Sequence, residues 1–320
     1  MCIRDRDNIL YHYTNFDVLE SILKYNTIKN KEICFWASRY DCFKDGVEFE
    51  YGLEWVRSVL PEFENSIGRS KNEQIADLFE PSIVLSNPSL PKPFVVSLTG
   101  RPDDEYMWQT YTKGKDEGIV LELNLDEEVI NIATVDNKQF LLRLASCIYD
   151  LPSYKDTNLL GFELSYLKYA FDCTNSPVIE IFRILHALTL LMFYCPLIKK
   201  PDFIKEKETR LFLNVPDLEW CNIFTVKSKE LGLEKEHIIN ELKKVSGKGV
   251  QNVSVEDIEQ YVSDIHQNPH NNKWYKELFL PKAALKGIYV RNENLIDKIK
   301  EILVSKNLDN IPVHLVESCY

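Results

Sequence analysis

The chain has 320 residues, of which 45% are hydrophobic and 27% are charged. A chain of this composition can bury enough apolar surface to fold, which excludes a disordered or low-complexity protein. Its 38 basic side chains stand against 49 acidic ones, which gives a formal net charge of −11. This balance argues against a protein that coats DNA or an anionic membrane through its overall charge, and we expect no bulk nucleic-acid binding.

The longest uncharged run, residues 184–198, contains Pro196 near its end. A membrane-spanning helix needs about 20 apolar residues, so we interpret this shorter run as a buried core helix and expect no membrane contact. The first residues lack the pattern of a signal peptide. Residues 1–7 belong to no periodic element, and we expect them to be a non-native or disordered start.

The eight cysteines are scattered, with no C-x-x-C pair, which indicates reduced thiols and a cytoplasmic protein. His266 and His270 are four residues apart, but Pro269 between them disfavours a shared helix face. We therefore interpret both histidines as loop residues and expect no metal.

Hydrophobic periodicity predicts short strands that alternate with helices. Strands are predicted at residues 9–13, 32–37, 94–99, 118–124, 206–214, 277–280, 285–291 and 313–316. Helices are predicted at residues 15–25, 48–60, 72–80, 105–112 and 293–307. Thr14 is the expected cap of the first helix, and Pro61 the expected end of the second.

This order of elements predicts one α+β domain over residues 8–320. The domain is expected to have a mixed or antiparallel central sheet with flanking helices. Residues at about 150–200 and 228–275 are expected to form helical insertions.

Three segments place polar side chains within or beside apolar strands. In the first, LYHYT, alternation puts Leu10 and His12 on one strand face and Tyr11 and Tyr13 on the other. The alternative to a binding role for His12 is a histidine at the edge of the core that bonds to the backbone.

In the second segment, Ser97 and Thr99 end a predicted strand, and the next helix carries Trp108 and Tyr111 on one face. Aromatic rings beside hydroxyl groups suit a flat heterocycle, which they bind by stacking and hydrogen bonds. The alternative is a helix that packs both rings into the core.

In the third segment, EKETRLF, alternation puts Glu206, Glu208 and Arg210 on one strand face. Two carboxylates and a guanidinium that lead into an apolar strand indicate a buried ionic cluster. Such clusters need internal partners and are frequent at sites with shifted pKa values. A solvated edge strand is the alternative.

Together the segments resemble the domain-of-unknown-function 2971 family. In the stretch F-W-A-S-R-Y-D-x-F-x-D-x-x-E, Asp45 and Glu48 occupy the last two acidic positions, whereas Lys44 and Gly46 depart from the Asn and Pro of the family. The stretch S-[FL]-[ST]…M-W-x-x-Y…G-[IV] is matched by Ser97, Thr99, Met107, Trp108, Tyr111, Gly118 and Ile119. The stretch F-x-x-E-x-E-x-R is matched by Phe203, Glu206, Glu208 and Arg210.

The chain has a histidine on its first strand, then an aromatic residue, and then a glutamate on a later strand. This order is similar to the H-Y-E arrangement of diphtheria-toxin-like and poly(ADP-ribose)-polymerase-like ADP-ribosyltransferases. The resemblance implies that His12, with Tyr13 beside it, holds the adenosine ribose of NAD. It implies that Tyr111 or Trp108 stacks on nicotinamide.

In the same resemblance, Glu208 or Glu206 polarises the nicotinamide ribose, while Ser97, Thr99 and Arg210 complete the cofactor site. A fixed carboxylate suits this role because cleavage of NAD passes through a positively charged, oxocarbenium-like state. The implied function is an ADP-ribosyltransferase-like enzyme of toxin or phage-defence type, with NAD as its substrate and an unidentified acceptor macromolecule.

Two other functions stay open. A metal-dependent hydrolase or nuclease would use Asp45, Glu48, Glu206 and Glu208 as oxygen ligands. A non-catalytic domain of a bacterial defence or regulatory system would bind a small nucleotide through the polar strand residues. A transferase needs His12 and Glu208 in one cleft, a metal site needs Asp45 and Glu48 beside Glu206, and a structural role leaves the cluster closed.

Overall fold

The computed structural model describes residues 8–24, 32–43, 47–86, 93–112, 117–136, 138–140, 142–149, 164–165, 167–168, 171, 191–192, 194–213, 265–269 and 272–317. Residues 1–7 and most of the two predicted insertions therefore lie outside the described residues. No helix in the described part of the chain is long and apolar enough to cross a membrane.

The described strands form one sheet of 12 strands. They are β1 (Ile9–Asn15), β2 (Glu32–Arg39), β3 (Phe94–Thr99), β4 (Gly118–Asn124), β5 (Thr134–Val135), β6 (Lys138–Gln139), β7 (Leu142–Ser146), β8 (Glu208–Leu213), β9 (His266–Gln267), β10 (Trp274–Pro281), β11 (Leu285–Val290) and β12 (Val313–Leu315). The order is β12-β11-β4-β1-β3-β2-β10-β5-β6, while β8 pairs with β3 and β7, and β9 pairs with β10.

Among these strand pairs β11 and β12 are parallel, and the others are antiparallel. The described α-helices are α1 (Phe16–Lys24), α2 (Val47–Ser66), α3 (Pro81–Ser86), α4 (Glu105–Tyr111), α5 (Glu127–Ile132) and α6 (Asn294–Ser305). The predicted α+β fold with a mixed, mostly antiparallel sheet is confirmed.

Strand β3 is the branching point of the sheet. One of its edges pairs with β8 over its full length, from Phe94 opposite Leu213 to Thr99 opposite Glu208. Its other edge pairs with β1 only at Thr99 and with β2 only at Phe94 and Val95. The sheet therefore divides along β3, and β8 lies two strands away from β1.

The two faces of the sheet have separate cores. On one face, alternate strand residues such as Val96 and Leu121 pack against α1, α5 and α6 through Leu19, Val129 and Ile299. On the other face, α4 packs Met107 and Trp108 against Tyr13. We call the first the helix-covered core face and the second the α4 face.

The ends of the first two helices differ from the prediction. Asn15, not Thr14, caps α1, because its side-chain oxygen accepts the backbone N–H of Val18 at 3.1 Å. Helix α2 continues through Pro61 to Ser66. A proline removes one helical hydrogen bond, but the buried side chains of Leu60 and Phe63 on either side hold the helix against its core.

Two further predictions differ from the structure, one in the conformation of an element and one in where a strand begins. The helix expected at residues 72–80 is a pair of 3₁₀ turns, because the Glu64 carboxylate accepts the backbone N–H of Ile75 at 3.0 Å and so holds the chain out of helical register. The strand expected from residue 206 begins at Glu208, since Glu206 ends a 3₁₀ turn and Lys207 is left-handed with φ 44°.

Candidate functional site

A cluster of five charged side chains is buried on the α4 face of the sheet. None of its members is more than 7% exposed: Glu48, Lys199, Glu206, Glu208 and Arg210. The cluster formally contains three carboxylates and two cations. We call it the buried charge cluster.

Lys199 is at the centre of the buried charge cluster. Its ammonium lies 3.0 Å from Glu48 Oε1 and 2.7 Å from Glu208 Oε2, and it also forms an ion pair with Glu206. These carboxylates come from α2, from β8 and from the 3₁₀ turn before it. One ammonium therefore joins three segments of the chain.

Arg210 satisfies its guanidinium within the same cluster. Its Nε lies 2.7 Å from Glu208 Oε1 and one terminal nitrogen lies 3.0 Å from Glu208 Oε2, a bidentate pair. The side chain also bonds to Glu48 and donates to the carbonyl of Pro196. The predicted pair of Arg210 with Glu208 is confirmed, and the guanidinium is directed into the cluster rather than toward a cofactor.

Three neutral groups close the cluster. Tyr111 donates its hydroxyl to Glu206 Oε1 at 2.6 Å, and Thr99 donates its hydroxyl to the backbone carbonyl of Glu206 at 3.3 Å. The hydroxyl of Tyr149 accepts the backbone N–H of Glu208 at 2.8 Å. Of these three groups, Tyr111 is the most exposed, at 40%, whereas Tyr149 is half-buried and Thr99 is buried.

The electrostatics of the cluster favour its ionised form. Burial alone raises the pKa of the Glu208 carboxyl, but Arg210 and Lys199 outweigh burial and lower that pKa to about 2. Burial likewise acts to lower the pKa of Lys199, and the carboxylates, Glu208 first, raise it above its usual value. Burial, with Glu206 beside it, raises the pKa of Tyr111, so the phenol stays protonated and donates.

His12 lies on the other face of the sheet from Glu208. Tyr11 is opposite Thr99, and Thr99 is opposite Glu208, so these three side chains share the α4 face. His12 follows Tyr11 and therefore faces the helix-covered core, where its ring meets Phe35 edge-on at 5.4 Å. The expectation that His12 and Glu208 share one cleft is wrong.

The environment of His12 matches the structural alternative. Its Nδ1 lies 2.9 Å from the carbonyl oxygen of Ser97, in the gap that β1 and β2 leave along β3. Burial lowers the pKa of His12 despite this hydrogen bond, so the imidazole is neutral near pH 7. A neutral imidazole bonded to backbone at the edge of the core contributes to the fold at the branch of the sheet.

The other predicted site residues lie on the α4 face. Ser97 is directly opposite Arg210 and is half-buried. Trp108 is buried, donates its indole N–H to the carbonyl of Pro102 at 2.8 Å, and packs edge-on against Tyr13. Of the two candidate stacking residues, Tyr111 is exposed and Trp108 is buried.

The buried charge cluster has no open position for a divalent cation. Glu48 does lie beside Glu206, as the metal hypothesis requires, but the ammonium of Lys199 occupies the point where their carboxylates and that of Glu208 converge. Asp45, the fourth predicted ligand, lies outside the described residues.

Lys199 and Tyr149 are the members of this site that sequence reasoning missed. Lys199 directly follows the apolar run 184–198, where a lysine is usually a solvated flank. The signal that could have found it is the predicted strand face, where Glu206 and Glu208 stand against the single cation Arg210, because buried carboxylates need cations. Tyr149 carries no pattern in the sequence that marks it.

Comparisons with known proteins found no matching family model, no matching curated protein and no matching solved structure. The resemblances to the 2971 family and to ADP-ribosyltransferases therefore stay predictions.

Replacing Arg210 with alanine should destabilise the protein by about 3–5 kcal/mol, because it leaves Glu208 and Glu48 buried without their guanidinium. Arg57, whose pair with Glu80 lies at the surface, is the control, and Arg57→Ala should change stability by no more than about 1 kcal/mol. The free energy of unfolding in urea measures both. Equal stability of Arg210→Ala and the wild type would show that the pair contributes nothing.

Acid should remove the contribution of Glu208 to stability. Its pKa is about 2 in the folded chain against 4.5 for a free side chain, so its stabilisation is complete above about pH 5 and is lost as the pH falls toward 2. Between pH 6 and pH 3 the wild type should lose about 2 kcal/mol more than Glu208→Gln, which cannot titrate. Parallel acid dependence of the two proteins would contradict the lowered pKa.

Proposed function

We propose that this protein is a nucleotide-recognition domain that binds its ligand at the exposed ring of Tyr111. The observation that carries this proposal is the combination of an exposed ring with a fixed hydroxyl. Tyr111 is 40% exposed, while its hydroxyl bonds to Glu206 at 2.6 Å. Because Glu206 is itself held by Lys199, the ring is ordered before any ligand arrives, which lowers the entropic cost of stacking.

Two exposed lysines lie next in sequence to the carboxylate that holds Tyr111, and their charge suits the phosphates of a nucleotide. Lys205 and Lys207 are exposed and flank Glu206 in the chain. The turn that ends at Glu206 contacts α4, and Glu206 accepts the Tyr111 hydroxyl. In this proposal the two lysines provide the cations for the phosphates. A flat ring for the base and two cations for the phosphates form a recognition surface of the kind used for nucleotides.

The closed state of the buried charge cluster supports recognition over catalysis. Glu208 is 4% exposed, and both of its carboxylate oxygens accept hydrogen bonds from Arg210 or Lys199. A carboxylate that is fully engaged in this way has no oxygen directed at a substrate. Its charge instead fixes Lys199 and, through Glu206, the hydroxyl of Tyr111.

An NAD-dependent transferase is the second candidate. The observation that favours it is that Tyr111 and both candidate carboxylates, Glu206 and Glu208, meet around Lys199. Two of the three parts of the H-Y-E resemblance therefore gather on the α4 face, although His12 faces the opposite core. Such an enzyme would have to bind the adenosine ribose without His12.

Removing the Tyr111 ring should weaken nucleotide binding. Stacking of one base on an aromatic side chain contributes about 1–3 kcal/mol, so Tyr111→Ala should bind ATP and NAD roughly 5- to 150-fold more weakly. Tyr111→Phe keeps the ring but not the bond to Glu206 and should show a smaller loss. Calorimetric titration of each nucleotide measures these affinities.

Gln109→Ala is the matched control for this binding experiment, because Gln109 is exposed on the same helix and its side chain donates to Glu105 at 2.9 Å. It should bind both nucleotides like the wild type. Failure of the wild type to bind either nucleotide, or equal binding by Tyr111→Ala, would refute the recognition surface.

NAD turnover separates the two candidate functions. We expect the wild-type chain, incubated with labelled NAD and cell extract, to bind NAD without consuming it. If it does consume NAD, and Glu208→Gln lowers the rate by about 100- to 1,000-fold as loss of a preorganised charge typically does, the transferase replaces the recognition domain. Glu206→Gln is run beside it, and loss of turnover in that variant alone would identify Glu206 as the carboxylate.

A further inference from the structure

A second group of polar side chains lies near the opposite end of the sheet, and it is independent of the nucleotide surface. Asp136, His266 and Glu277 each offer one atom that can bind a metal, and these atoms all lie within 4.8 Å of one another. His266 was expected in a loop, but it is part of strand β9. His270 lies outside the described residues.

Backbone pairing positions this triad. His266 is directly opposite Tyr275, and Glu277 follows two residues later on the same face of β10. Asp136 occupies the turn between β5 and β6, and its backbone N–H donates to the carbonyl of Glu277 at 2.9 Å. Pairing along one edge of β10 therefore brings the three side chains together.

The separation of the donor atoms suits a single metal ion. Imidazole nitrogen and carboxylate oxygen bind Zn²⁺ at about 2.0–2.2 Å, so two such ligands in a tetrahedral site are about 3.4 Å apart. His266 Nε2 and Asp136 Oδ1 are 3.2 Å apart. The ring of His266 also lies against Tyr275, with centroids 5.4 Å apart, which fixes the direction of its nitrogen.

Burial leaves one side of the triad open. Glu277 is 8% exposed and the side chain of Asp136 is 11% exposed, whereas the side chain of His266 is 35% exposed. An ion could enter from the His266 side and keep solvent as its remaining ligand, as catalytic zinc sites do. His266 Nε2 and Asp136 Oδ1 are within hydrogen-bond distance of each other, and a bound divalent cation would replace that contact with two ligand bonds.

We propose that Asp136, His266 and Glu277 form a binding site for one divalent transition-metal ion of the zinc class. One imidazole and two carboxylates form a mixed nitrogen and oxygen donor set that such ions accept. This site differs from the buried charge cluster, where the ammonium of Lys199 already occupies the position among the carboxylates.

Metal titration of the stripped protein tests this site. The full chain is treated with a chelator, dialysed, and titrated with Zn²⁺ by calorimetry, with the bound metal counted by elemental analysis. We expect one ion per chain at this site. Loss of a residue that only supports a metal ligand already lowers metal affinity by about 10- to 100-fold. We therefore expect at least this loss of Zn²⁺ affinity in each of three variants: His266→Gln, Asp136→Asn and Glu277→Gln.

Glu122→Gln is the matched control, because Glu122 is a half-buried carboxylate on the same sheet that bonds to Tyr289. It should bind Zn²⁺ like the wild type. Circular dichroism shows whether each variant folds. His266 is the most exposed of the three ligands, so His266→Gln keeps the test decisive if substitution of Asp136 or Glu277 prevents folding. The proposal would be overturned if the wild type bound less than one Zn²⁺ per chain. It would also be overturned if His266→Gln bound Zn²⁺ unchanged, because cysteines would then hold the ion.

Discussion

The ammonium of Lys199 among three carboxylates is the interaction on which the α4 side of this fold depends. Removing an ion from water costs several kcal/mol even after the protein relaxes, so a buried cluster is stable only when each charge has close partners. Lys199 provides that partner for Glu48, Glu206 and Glu208 at once. The cluster thereby joins α2, the turn before β8, and β8 itself, and Tyr111 attaches α4 to the same point.

This constraint separates the structural part of the site from the part that can meet a ligand. The charged groups are turned inward and satisfied by one another. Tyr111 links the cluster to the surface, because its hydroxyl bonds to the buried Glu206 while the residue is exposed. A preorganised ring needs a rigid foundation, and a buried ionic network supplies one because it tolerates no missing member.

Much of this arrangement could be predicted from the sequence, and the failures have physical causes. Alternation correctly placed Glu208 and Arg210 on one strand face, because side chains in a strand repeat every two residues whatever the fold. The same rule separated His12 from Tyr11 but could not say which of them would share a face with Glu208. That depends on the register of β1, β3 and β8, which is set by packing far from these residues in sequence.

Lys199 and Pro61 illustrate a second kind of failure, in which tertiary packing overrides a local preference. A lysine after an apolar run is normally solvated, yet three carboxylates draw Lys199 inside. A proline normally ends a helix, yet α2 continues because side chains beyond Pro61 are buried in a core. Glu48, which pairs with Lys199, and Leu191 and Met192, which share a core with α2, are distant in the chain from the residues whose conformation they decide.

A double-mutant cycle between Lys199 and Glu208 tests the central claim most directly. The free energy of unfolding is measured for the wild type, Lys199→Met, Glu208→Gln and the double variant. If Lys199 organises the cluster, each single change leaves unpaired buried charge, and the double variant should be less destabilised than the two losses combined, with a coupling on the order of 2 kcal/mol. The account would be contradicted if the stability lost in the double variant equalled the sum of the two single losses to within about 0.5 kcal/mol. Residues that contribute independently give additive losses of this kind.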